Sequence, residues 1–444
     1  MLSLTLSMIV KNAEADLREC LESAKAVVSE MVVADTGSND ATRNVAKSMG
    51  ARVIEIPWED DFAKARNRSL AEVKSDWVLV LDADERLDPN AASHMRAHLE
   101  NGRAAGYQVT IRNYLPSLTC KIWDRPAKAN DSRYAPARQY PAYVDHENVR
   151  LFQRNPKIYF TGRVHETVGS RIVETGLALG TATFLIHHLG MVRNPEQAAA
   201  KAKYYRELGL RKLSDMPNDA QAHLEAGIVE LEEVGKAGEA LAYFERANAL
   251  KPRFGVARFF AGKCLFQLGE YRRALAELRQ AEAAGHKTTG VAELMGDAQY
   301  NLAEYEKARE SYELAWKRDS VNARVESKLG LAAVRSGRAE DGVRRIRHAI
   351  AQDSGNAELY DRLVTVEAWL NHVAEAADAA EEKLARAVPR PEDFVRAASI
   401  RGRLGQWERA AEILRRGIDR FPDSEVLSKA KTFSGEAVPC SFKK

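Results

Sequence analysis

The 444-residue sequence has only four cysteines, Cys20, Cys120, Cys264 and Cys440, and none stands in a CxxC pair or near histidines at metal-finger spacing. That excludes a zinc-finger framework and leaves free thiols in a reducing compartment as the expectation. Charge of one sign is also lacking. The 66 basic and 63 acidic side chains leave a net charge of +3, far from the dense basic excess that phosphate-backbone binding requires, so nucleic acid is excluded as the main partner. No stretch reaches the roughly 20 apolar residues of a membrane span. The apolar start, residues 1–10, has neither the leading basic residues nor the small-residue cleavage site of a signal peptide. It reads as a first buried strand, and a cytoplasmic chain without a transmembrane segment is expected. Disorder of the whole chain is excluded by a hydrophobic fraction of 45%.

What is present falls into two halves. In the second, small residues recur every 34 positions, at Ala240, Ala274, Ala308, Gly342, Ala376 and Ala410. Gly262, Gly296, Gly330 and Ala398 stand 12 residues before four of these, whereas Ile228 and Val364 break that second series. Paired small positions are what two antiparallel helices need where they approach closely. Each unit reads as helix, turn, helix, with turns at Leu268-Gly269-Glu270, Ser336-Gly337-Arg338 and Leu404-Gly405-Gln406. Tyr271, Tyr305 and Trp407, three residues before the small position, complete a pattern that resembles tetratricopeptide repeats, whose period is also 34 residues. That resemblance implies a solenoid of about six repeats over 218–424, with a concave face that holds a peptide or another protein. A proline-started helix over 193–217 is expected to link it to the first half, and 425–444 form a tail.

The first half, residues 1–192, alternates apolar runs with amphipathic stretches. Strands are expected to about Val10, at Met31 to Ala34, near Val53 to Ile56 and from Trp77 to Leu81. The helices between them run from Ala13 to Val28, from about Asp40, and from Phe62 to Val73. This alternation predicts a parallel sheet covered by helices on both faces, and ligands of such sheets bind beyond the carboxyl ends of the strands. Two places qualify. Asp35-Thr36-Gly37-Ser38-Asn39-Asp40 follows the strand at Val32-Val33, where Asp35 is placed to accept hydrogen bonds from a base or ribose, although a helix cap would leave the same residues. Asp82-Ala83-Asp84-Glu85 ends the strand Trp77-Val78-Leu79-Val80-Leu81. Three acidic groups leaving a buried strand repel one another, and a divalent cation offsets that cost while binding the phosphates of a nucleotide.

Together with Met8-Ile9-Val10-Lys11-Asn12 and Phe62-Ala63-Lys64-Ala65-Arg66-Asn67-Arg68, these motifs resemble the family-two glycosyltransferases of the GT-A fold, an α/β Rossmann-like nucleotide-diphospho-sugar transferase domain. The resemblance implies Asp35 at the nucleoside, Arg66 near the base or phosphates, and Asp82 and Asp84 at the ribose and metal. Farther on, Val149-Arg150-Leu151-Phe152, Gly162-Arg163-Val164-His165-Glu166 and Ile186-His187-His188-Leu189-Gly190 resemble the branch of lipopolysaccharide-core glucosyltransferases and SunS-type peptide glycosyltransferases. By that resemblance His188 completes the metal site, with His187 as the alternative, and Glu166 is the catalytic base, with Asp145 and Glu147 as rivals. Trp123, Tyr114, Tyr134 and Tyr140, among Lys121, Arg125, Arg133 and Arg138, fall in an irregular stretch that shapes the acceptor site in the family.

The implied activity is inverting, metal-dependent transfer from a UDP-sugar, with Mn2+ or Mg2+ as the cation, to a protein or peptide acceptor bound by the repeats. A lipopolysaccharide or other envelope glycan is the alternative acceptor. A non-catalytic repeat scaffold is the alternative of another class, and the intact Asp35, Arg66, Asp82 and Asp84 count against it. A nucleotidyltransferase is excluded by the absence of a glycine-rich phosphate loop after the first strand, where the chain reads Val10-Lys11-Asn12-Ala13-Glu14.

Overall fold

The computed structural model describes residues 2–101, 103–117, 120–122, 125–190, 195–232 and 234–432. Trp123, Cys440 and the tail beyond residue 432 lie outside them. The chain divides into two compact units, residues 1–229 and 230–444.

The first unit opens with β1 (Leu4–Val10), α1 (Leu17–Ala24), β2 (Glu30–Asp35), α2 (Thr42–Ser48), β3 (Arg52–Glu55), α3 (Phe62–Ala71) and β4 (Trp77–Val80). Here the alternation is as expected, with shorter helices. β1 pairs in parallel with β2 and with β4, and β2 with β3. The expectation of a parallel sheet holds only this far. After β5 (Glu85–Leu87), α4 (Ala91–Asn101) and β6 (Gly106–Leu115) come three two-residue strands, β7 (Lys121–Ile122), β8 (Arg125–Pro126) and β9 (Lys128–Ala129). A long strand, β10 (Ala142–Gln153), then runs antiparallel to both β4 and β6. After α5 (Gly169–Glu174), β11 (Leu179–His188) pairs in parallel with β6 and antiparallel with β5. The sheet is therefore mixed, in the order β3-β2-β1-β4-β10-β6-β11-β5.

Burial explains the difference. β1 and β4 are buried almost throughout, as strands covered on both faces must be. β10 instead mixes buried residues with half-exposed ones, including Asp145 and His146, along its first half. A strand read by continuous hydrophobicity alone is missed there. One core gathers Leu6, Met8, Leu17, Leu21, Leu79, Leu81, Ile111 and Ile186, and a second gathers Val78, Val80, Phe152, Phe160 and Ile172. α6 (Pro195–Asp215) follows β11, and α7 (Ala220–Glu232) begins within this unit.

The second unit is helical throughout its described residues. α8 (Ala237–Leu250) is followed by pairs at the 34-residue period: α9 (Gly255–Gln267) with α10 (Tyr271–Ala283), α11 (Thr289–Asn301) with α12 (Tyr305–Arg318), α13 (Ala323–Arg335) with α14 (Ala339–Gln352), α15 (Ala357–Trp369) with α16 (Val373–Arg386), and α17 (Pro391–Arg403) with α18 (Trp407–Arg420). α19 (Glu425–Thr432) closes the array. The small positions mark the closest approaches. A Cβ on Gly330 would lie 2.7 Å from the carbonyl oxygen of Gly342, and one on Gly342 would lie 2.5 Å from that of Gly330, too near for any side chain. The turn between paired helices takes the left-handed conformation at Gly269 and Gly337, with φ of 80° and 86°.

Candidate functional site

The site is built where β1, β2 and β4 end together. The loops after β1 and β2 are stitched to each other. Asn12 N donates to Ser38 Oγ (2.9 Å), Asn39 N to Asn12 Oδ1 (2.8 Å), Ala13 N to Thr42 Oγ1 (2.7 Å), and Thr36 Oγ1 to the Val10 carbonyl (3.0 Å). Small polar residues in these motifs thus fix the loops. Asp35 itself is fully buried. Its Oδ1 accepts from Gly37 N and Ser38 N, at 3.1 and 2.9 Å, and pairs with Arg43 at 3.4 Å. Its Oδ2 is buried with no hydrogen-bond partner. A buried carboxylate oxygen left without a donor costs free energy, and a ligand that donates to it recovers that cost.

Beyond β4 the acidic turn is balanced by arginines. Arg66 on α3 donates from Nη2 to Asp82 Oδ1 (2.7 Å) and from Nε to Glu166 Oε1 (2.5 Å). Arg150 on β10 donates from Nη2 to Asp82 Oδ2 (2.9 Å) and to Glu85 Oε1 (2.7 Å). Glu85 Oε2 in turn accepts from the Asp82 backbone N–H at 2.9 Å. The repulsion expected between these carboxylates is therefore offset by two buried guanidinium groups. Burial would raise the pKa of Asp82, but Arg150 and Arg66 hold it well below the usual carboxylate range. Burial pushes Glu85 up to about 7 against the pull of Arg150. Both arginines keep a buried nitrogen without a partner, Nη1 of Arg66 and Nε of Arg150. Two unanswered cationic donors beside an acidic turn suit a polyanionic ligand.

Asp84 points elsewhere. Its Oδ2 lies 3.2 Å from His188 Nε2. Gly190 packs so tightly on this carboxylate that a Cβ there would fall 2.0 Å from Asp84 Oδ2. His188 Nδ1 meets Asn113 Oδ1 at 2.7 Å. The Asn113 amide is oriented by its Nδ2, which donates to the Val144 carbonyl (3.0 Å) and meets His146 Nδ1 (2.8 Å). Asn113 Oδ1 therefore accepts, the proton of a neutral His188 sits on Nδ1, and the Nε2 lone pair faces a carboxylate. Such an arrangement calls for a proton or a cation between them. Burial would lower the pKa of His188, but Asp84 outweighs it and raises it; burial would raise that of Asp84, and His188 brings it down.

Strand alternation separates the remaining candidates. His188 is registered with Asn113, and His187 with Arg112, which is registered with Asp145. His187 and Asp145 therefore point to the opposite face of these strands from His188. There His187 is buried, with Nδ1 2.8 Å from Tyr114 OH, Nε2 3.3 Å from Asp88 and its ring stacked on Tyr134 at 3.9 Å. Asp145 makes a two-pronged ion pair with Arg112, at 2.9 and 3.0 Å, and the guanidinium lies over the Tyr143 ring. Glu147 lines an open cleft of about 530 Å³ with Gln108 and Thr167. Tyr114, Tyr134, Tyr140 and Tyr143 form a cluster of their own. Glu166 alone among the three candidate bases reaches the Arg66–Asp82 group. Sequence reasoning gave Arg150 and Asn113 no role; Arg150 stood in a quoted motif, but its partners, Asp82 and Glu85, lie more than sixty residues away.

Residues 5–158 match the family described as glycosyl transferase family 2, and residues 394–424 the tetratricopeptide repeat. Residues 233–315 match the family described as anaphase-promoting complex, cyclosome, subunit 3. A TPR repeat-containing protein of Synechococcus elongatus is 32% identical over 226 residues, which cover 50% of this chain and 50% of that one. The glycosyltransferase SunS of Bacillus phage SPbeta is 25% identical, over 37% of this chain and 34% of its own. An uncharacterized glycosyltransferase of Rickettsia typhi is 34% identical over 23% of this chain and 36% of its own. The chain thus spans half or less of the length of these relatives. Among solved structures, the TPR protein YrrB aligns with 51% of this chain and 99% of its own, at 17% identity and a TM-score of 0.34. The chain carries a family 2 glycosyl transferase domain at its N-terminus, followed by tetratricopeptide repeats.

Proposed function

We propose that the first unit is an inverting, metal-dependent glycosyltransferase that moves a sugar from a UDP-sugar to a protein or peptide acceptor, with the repeats binding the acceptor or a partner protein. The observation that carries the reading is the set of buried, unanswered polar atoms at and around the ends of β2 and β4: Asp35 Oδ2, Arg66 Nη1 and Arg150 Nε. Asp35 would accept from the nucleoside, and the two arginines would face the diphosphate.

Asp84 and His188 suit a divalent cation. Adjacent ligands of an octahedral ion with bonds of about 2.1 Å lie about 3 Å apart, and these two atoms are 3.2 Å apart. Two protein ligands leave the other positions to phosphate oxygens and water. Among the described residues no group of three or more acidic, histidine or cysteine side chains gathers to hold a metal by itself. A bound cation would supply stabilisation of the charge that develops on the departing diphosphate. Asp82, closed by Arg66 and Arg150, serves in this reading to hold those arginines in place.

Glu166 takes the proton of the acceptor as it attacks the anomeric carbon, and a single displacement inverts the configuration there. Arg66 orients its carboxylate through Nε. The supposition that the repeats hold a peptide rests on their architecture. Nucleotide release from UDP-glucose, UDP-galactose and UDP-N-acetylglucosamine, measured with manganese, tests the assignment. Glu166→Gln is expected to keep nucleotide binding and to slow turnover by at least about a hundredfold. Undiminished turnover in Glu166→Gln moves the base to Glu147 or Asp145.

A further inference from the structure

Helix α6 reads in the sequence as a connector, yet its side chains are built into the turn that carries Glu166. That turn, from Phe160 to Thr167, is closed by reciprocal backbone bonds between Thr161 and Thr167, at 3.0 and 3.1 Å. Asn67 on α3 holds its start through two bonds to the Phe160 backbone, at 2.9 and 2.8 Å. Gly162 and His165 within it have φ of 97° and 52°. His165 is not glycine, and a left-handed residue persists where its surroundings over-determine it.

The surroundings come largely from α6. Lys212 is 4% exposed. Its Nζ donates to the Val164 carbonyl (3.1 Å) and to Glu225 Oε2 on α7 (2.7 Å). Arg163 makes two bonds to Asp215 Oδ2, at 3.0 and 2.6 Å, and Arg211 pairs with Asp60 at 2.6 Å. The Arg163 carbonyl accepts from Phe62 N at the start of α3, at 2.9 Å. A buried ammonium cannot exchange a backbone carbonyl for water, so its position and that of the carbonyl are fixed together.

We infer that Lys212 is a positioning residue for Glu166: through the Val164 carbonyl, two residues earlier, it holds the left-handed step at His165 that aims the Glu166 carboxylate at Arg66. This rests on the reading of Glu166 as the base. The rest of the site is independent of Lys212, which touches neither Asp84, His188 nor Asp35. Helix α6, and through Glu225 the start of α7, then belong to the transferase machinery and are more than a tether.

Removing Lys212 alone would take the ion-pair partner from the partly buried Glu225, so the test is the double variant Lys212→Met/Glu225→Gln against Glu225→Gln, in the full chain. Two quantities are read: amide hydrogen exchange of residues 160–167, and kcat and KM for UDP release from UDP-glucose with manganese. The double variant is expected to exchange the turn about tenfold faster and to lose kcat about tenfold with KM for the donor unchanged. Turn protection and kcat equal to those of Glu225→Gln overturn the inference, as does a parallel change of kcat and KM, which marks general loosening. If the wild-type protein releases no UDP from any of the three UDP-sugars, the transferase reading fails separately, and the hydrogen exchange alone decides whether Lys212 holds the turn.

Discussion

The two halves of the chain handle buried charge in opposite ways. From α8 onward, charged side chains of the described repeats that leave water are answered. Lys383 donates to both oxygens of Asp361, at 2.8 and 2.9 Å, and to Asp393 at 2.7 Å, and Lys328 bridges Glu293 and Asp297 at 2.7 Å. Around the ends of β2 and β4 in the first unit, Asp35, Arg66 and Arg150 each keep a polar atom without a hydrogen-bond partner. A fold has no stability reason to leave buried ions half-answered. The contrast teaches that the repeats are finished as a structure, whereas in the proposed reading the site is finished by a ligand.

Three changes sharpen that contrast, in falling order of expected effect. Gly190→Ala places a methyl group against Asp84 and should weaken manganese-dependent UDP binding by about 10- to 100-fold, the range for groups that orient metal ligands. Calorimetry checks it, and the helical circular dichroism should not change. In the repeats the same kind of crowding should cost stability alone. Gly330→Val should lower the unfolding free energy by about 1–3 kcal/mol, read from urea unfolding, with UDP binding unaltered. The smallest effect concerns acid. Burial would raise the pKa of Asp393, but its bond from Lys383 lowers it below the ordinary carboxylate value. The stability this contributes is present above about pH 4, the unfolded value, and is lost as the pH falls through the lower folded one. Asp393→Asn should therefore flatten the acid limb of the stability profile of the repeats, followed by thermal unfolding at a series of pH values.

The halves also differ in how much of them could be read from sequence. The repeat is local: two helices and a turn recur within 34 residues, and Gly269, Gly330 and Gly342 stand where a side chain or a right-handed turn is forbidden. The first strands, too, carry their own signal in hydrophobic runs that end in Asp35 and Asp82. What was not legible is long-range. β10 turns the sheet antiparallel, and its half-exposed residues gave no continuous apolar run. Arg150 meets Asp82 and Glu85 only because β10 returns beside β4. The expectation that a divalent cation offsets the acidic turn left out these arginines. His187 and His188 could not be separated by composition. The register did so, since neighbouring residues of a strand face opposite ways.

The central claim is that the acidic turn receives a nucleotide diphosphate together with a divalent cation. It is tested most directly by calorimetric titration of the full chain with UDP, with and without manganese, on the wild-type protein and on Asp84→Ala. The account predicts UDP binding that needs manganese and disappears in Asp84→Ala. No UDP binding under either condition, or binding that persists in Asp84→Ala, would contradict it.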